Sequence, residues 1–65
     1  MLKEYVRKQI IKFIENEINI WISNMNISRK AYADNGIPFV GSTDQIYYSH
    51  VISAYEFLLM QARTY

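Results

Sequence analysis

The sequence predicts an all-α fold: an antiparallel two-helix hairpin with a long connection that has room for a short third helix. Three observations predict it. A stretch of more than 20 residues at the start holds no Gly or Pro and repeats its apolar residues at helical spacing. The single Pro and both Gly fall between residues 36 and 41. A second periodic segment then runs almost to the end, opened by a recognisable capping sequence.

Residues 2–24 form the first expected helix. At about 100° per residue, Leu2, Val6, Ile10, Phe13, Ile14, Ile18, Trp21 and Met25 fall along one side. Lys8, Lys12, Glu15, Asn16, Asn19 and Ser23 fall opposite. Ile11, Ile20 and Ile22 widen the apolar arc to about half the circumference, whereas packing on one neighbour needs a stripe of about 100°. The excess implies two neighbours, one of them from another chain. Seven Ile and Val by residue 22 lower helix propensity. Strand alternation fails throughout, so the helical period prevails.

Residues 25–43 are the expected connection. Ser28 is placed to cap a short helical turn through "RKAYAD", with Asn35-Gly36 as its left-handed stop. Pro38 forbids continuation and drives Ile37 toward extended backbone. Ser42 and Gln45 have the S-x-x-Q spacing of a capping box, and Asp44 in the first turn suits the positive end of a helix.

The second helix is expected over 43–62. Tyr47, Val51, Ala54, Tyr55, Leu58, Leu59 and Ala62 make its main apolar face; Ile46, Ser49, Ser53, Phe57 and Met60 make another. Only Asp44, Glu56 and Arg63 are charged here, against seven charged residues in the first helix. A helix so poor in charge is seldom fully solvated, which marks it as the self-associating element. Trp21, Ile46, Ser53, Phe57 and Met60 are the residues expected to carry self-association.

At 65 residues this is a single small helical domain, 1–65. Chains of this size bury only about 60% of their unfolded surface and commonly need a staple. With no Cys and one His, disulfides, thiolate metal ligands and Cys nucleophiles are excluded, and no His/carboxylate cluster has ligand spacing. No cofactor and no metal is expected. Oligomerisation remains, and a homodimer forming a four-helix arrangement is the expectation. Apolar residues make up 51% of the chain and the net charge is +1, so neither nucleic acid nor a membrane surface is strongly attracted. The start, "MLKEYVRKQIIKFI", mixes charges with apolar residues and has no secretory apolar core. The absence of a spanning segment gives a cytoplasmic expectation. Ten Ile against three Leu suggests AT-rich codons, hence a bacterial or phage source.

Chemistry-bearing residues are few. His50 has Ile46, Tyr47, Ser53 and Ala54 as helical neighbours and no carboxylate, so it reads as a partly buried hydrogen-bonding His rather than a catalyst. Glu15 and Glu17 are two apart and do not face each other. No G-x-S-x-G, P-loop or dinucleotide fingerprint occurs. Tyr47 and Tyr48 diverge by about 100°, so one of them faces a partner or solvent. Phe39, Tyr47, Tyr48 and His50, with Arg29, Lys30 and Tyr32, form the expected partner-binding set, with Phe39 and the Tyr pair exposed where the connection enters the second helix.

The expected function is that of a non-enzymatic regulator docking on a larger protein. A DNA-binding regulator is the alternative, since six of seven basic residues lie in the first half. The segment "ISRKAYADNGIP" resembles a helix-turn-helix only faintly. Ala31 and Ala33 miss the turn spacing to Gly36, and the following segment carries an acid and no Arg or Lys. A structural subunit of an assembly is the third reading.

Overall fold

The computed structural model describes residues 3–64; Leu2, expected on the apolar face, lies outside them. Two helices account for nearly all of that span: α1, Glu4–Asp34, and α2, Thr43–Thr64, antiparallel and joined by residues 35–42. The hairpin is as expected. The short third helix is not separate: its residues are the last turns of α1, which runs ten residues beyond the expected end. Nothing between residues 25 and 34 forbids helix, and Arg, Lys and Ala there favour it. Ser28 therefore caps no helix; it sits inside α1 and its hydroxyl donates to the Asp44 carboxylate across the hairpin at 3.2 Å.

The stop falls where the sequence places it. Gly36 takes φ +67, the left-handed conformation that costs an L side chain about 1–2 kcal/mol. Its N–H donates to the Ala33 carbonyl (3.0 Å), and the Ile37 N–H donates to the Tyr32 carbonyl (2.9 Å). This is the paired pattern of a Schellman motif, which satisfies carbonyls that the helix end would orphan. The Asn35 side chain adds a bond to the Ala31 carbonyl at 2.7 Å. A tight turn follows: the Ser42 N–H donates to the Phe39 carbonyl (3.0 Å) and Gly41 has φ +86, the sign a type II turn demands at its third position. Ser42 then caps α2, its hydroxyl accepting the Gln45 N–H at 3.1 Å. The Gln45 side chain reaches back one residue further than a standard capping box, to the Gly41 N–H at 3.3 Å.

The two helices meet along heptad-spaced rows. On α1 the less exposed residues follow steps of four and three, Arg7, Ile11, Ile14, Ile18, Trp21, Met25, Ser28 and Tyr32. On α2 the row is Gln45, Tyr48, Ile52, Tyr55, Leu59 and Ala62. A 3.5-residue repeat on both partners is the geometry of an antiparallel coiled-coil pair. Consequently, the α2 face expected from the sequence is rotated: Tyr55, Leu59 and Ala62 do enter the seam, whereas Tyr47, Ala54 and Leu58 stay exposed. Val6 and Phe13 on α1 are exposed for the same reason.

The seam does not close a core. Only Ile14, Phe39 and Ala62 are buried among the described apolar residues. The molecule measures 49 × 16 × 9 Å with a radius of gyration of 15.0 Å, where a compact domain of this length has about 11 Å. α1 also outruns α2 by nine residues, 31 against 22. The excess is shared between the two ends: Ser28 faces Asp44 near the start of α2 and Glu15 faces Arg63 near its end, so α1 runs past α2 at both.

Candidate functional site

A hairpin has two broad faces, and the helix rotations make them chemically unlike. About 100° to one side of the α1 seam row lie Val6, Phe13, Ile20 and Ile27, spaced by seven and 41–69% exposed. Because α2 runs antiparallel, the row on the same side of its seam is Tyr47, Ala54 and Leu58, with half-buried Val51 beside it. Ring contacts stitch this side together. Trp21 in the seam stands 5.9 Å from Tyr47, edge-on at 74°, and 5.9 Å from Tyr48. The result is one continuous apolar face. Among the described residues between its α1 row and the seam, the only charge is Glu17, half-buried.

The other face is polar. It carries Lys8, Glu15, Asn19, Ser49, Glu56 and Arg63, with Ile22 as the exposed apolar exception. Arg63 and Glu15 pair across it at 3.4 Å, both well exposed. Glu15, Ile18, Asn19, Glu56 and Leu59 line a shallow groove of about 280 Å³ on this side. Its two carboxylates come from different helices, a juxtaposition the sequence could not display. No group of three or more His, Cys, Asp or Glu placed to hold a metal occurs among the described residues. No described helix is long and apolar enough to cross a membrane.

The expected partner-binding residues separate into groups. Phe39 is not exposed: at 8% accessibility it is among the three most buried residues, the reverse of its expected display. Its ring meets Tyr32 edge-on at 5.4 Å and 85°, and the Arg29 guanidinium lies over it at 5.4 Å from the centroid. Because α1 continues to residue 34, Tyr32 and Arg29 are at hand to cover that ring. Tyr32 and Arg29 thus hold the connection in place, while Lys30 points to solvent. Tyr47 and Tyr48 do part company as their angular separation requires: Tyr47 is 51% exposed, Tyr48 half-buried in the seam. His50 is exposed rather than partly buried, because it falls on the side of α2 that faces away from α1.

The expected self-association residues also divide. Trp21 is engaged within the hairpin. Ile46, Ser53, Phe57 and Met60 form an outward stripe on the back of α2, all exposed, with His50 in the same stripe. The basic residues do not gather into one patch. Lys8 and Lys12 are separated from Arg29 and Lys30 by more than 16 residues of helix, about 25 Å along the axis. Arg7 is bridged to Glu4 at 3.8 Å.

Comparison with known proteins brings no match: no family model fits the chain, and neither a curated protein nor a solved structure resembles it.

Proposed function

We propose that this chain is a small non-enzymatic regulator that self-associates and, as a homodimer, docks on a larger protein and modulates it by covering part of its surface. One observation carries the reading. Thirteen large apolar side chains stay exposed among the described residues while three apolar residues are buried. A helix with an apolar stripe is stable when that stripe is covered, and large open apolar patches mark interaction surfaces. Two separate apolar surfaces, the broad face and the back of α2, provide for a second copy and for a different partner together. The excess of Ile over Leu supports a bacterial or phage cytoplasm as the setting of this proposal.

The test uses a photo-crosslinking residue at Phe57, on the back of α2, in the intact chain inside cells. The expected product is an adduct heavier than twice the 7.7 kDa chain mass. Adducts only with the chain itself would overturn the docking reading. A shift of duplex DNA that fades as salt rises would replace it with the DNA-binding alternative, since phosphate contacts weaken steeply with salt. Large regular oligomers would favour the structural subunit.

A further inference from the structure

We propose that a second copy of this chain covers the apolar face, with α1 packed antiparallel on α1 of the other copy to make a two-fold four-helix bundle. The proposal rests on the self-association read above and adds the face and the orientation.

Area supports a cover of this size. A compact chain of 7.7 kDa exposes about 4,300 Å², whereas this one exposes 4999 Å². The surplus of about 700 Å² is close to the ~800 Å² that each partner gives to a standard interface. The rotation of the helices agrees. In a four-helix bundle each helix touches two neighbours, so its apolar arc must span both directions. On α1 the seam row and the Val6–Ile27 row lie about 100° apart and together make such an arc.

A second copy, rather than an unrelated chain, is favoured by self-complementarity. A two-fold interface sets the same patch against itself, and this face has little charge to repel its own image. The row is also symmetric in sequence. Val6 lies as far before the midpoint between Asn16 and Glu17 as Ile27 lies after it, and Phe13 mirrors Ile20 in the same way. Antiparallel α1 helices centred there set Val6 against Ile27 and Phe13 against Ile20 of the other copy. Tyr47 and Leu58 of each copy extend the contact along the second layer.

The ends agree with this orientation. At the start of α1, Tyr5 is exposed. At the opposite end the connection exposes Ile37 and Val40. Antiparallel stacking brings the start of each α1 toward the other copy's connection, covering apolar residues at both.

The experiment uses the full chain, which contains no native Cys. Light scattering is expected to give twice the 7.7 kDa mass, and Phe13→Asp with Ile20→Asp to return it to the single mass. Mild oxidation of tagged Phe13→Cys mixed with Ile20→Cys should yield the mixed disulfide in preference to either self-linked product. Lys12→Cys, on the polar side, should stay unlinked. A native chain that remains at 7.7 kDa overturns the proposal, as does a double mass that survives both Asp substitutions or preferential self-linking at 13 and 20. If the Asp variants lose their helical circular dichroism, the cysteine pair alone decides. Crosslinking from Phe57 to a larger protein reports on docking independently, so failure of either reading leaves the other legible.

Discussion

Tyr32 and Phe39 stand edge to face, 5.4 Å between ring centroids and 85° between planes, and this pair folds the connection back onto the end of α1. Phe39 therefore holds the fold rather than greeting a partner. Truncating buried Phe to Ala typically costs about 3–5 kcal/mol. The rim of an open hairpin relaxes more easily than a closed core, so Phe39→Ala should cost about 3 kcal/mol in urea unfolding, near the low end. A loss below about 0.5 kcal/mol, the usual limit for surface positions, would return Phe39 to the surface.

Gly36→Ala isolates backbone strain. A Cβ built there meets nothing within 4 Å, so no clash contributes. The φ of +67 alone predicts a loss of about 1–2 kcal/mol. Gly36→Asn should cost less, since Asn tolerates the left-handed region. Both are read from the urea midpoint at unchanged slope.

Ser28 and Ser42 separate two accounts of where the helices begin. Read from sequence, each could cap a helix. Only Ser42 does, accepting the Gln45 N–H at 3.1 Å, so Ser42→Ala should cost about 1 kcal/mol. Ser28 lies inside α1, where Ala is the better helix former. Its exposed bond to Asp44 at 3.2 Å offsets that only in part, and Ser28→Ala should fall within about 0.5 kcal/mol of neutral. Paired thermal melts check both.

How much of this was legible in the sequence depends on whether the cause is local. The stop at Asn35-Gly36, the break at Pro38 and the cap at Ser42 depend on residues a few positions apart, and all stand where the sequence puts them. Ser28 misled because a cap needs a helix to end before it, and nothing from residue 25 onward ends α1. The rotation of α2 was hidden for a different reason. Its apolar arc covers both the seam and the open face, so the arc's centre, near Tyr47, Val51 and Leu58, points between two neighbours rather than at α1. Burial of Phe39 was hidden as well, because it depends on Tyr32 and Arg29 reaching it from an extended α1.

Glu17 provides the sharpest test of what covers the apolar face. It is the charge set between the Val6–Ile27 row and the seam, and it lies next to the midpoint of that row. Antiparallel pairing of two α1 helices brings the two Glu17 carboxylates toward each other near the two-fold axis. Like charges at that separation repel, and a half-exposed pair is worth about 1 kcal/mol, roughly fivefold in a dissociation constant. Glu17→Gln removes the repulsion and keeps the size, so the dimer should tighten by about fivefold in a dilution series followed by sedimentation. Added salt should tighten the native dimer and act less on the variant, because screening relieves the same repulsion. A Glu17→Gln chain that associates more weakly would mean that a cation of the other copy meets Glu17 instead, and would overturn the pairing centred between Asn16 and Glu17.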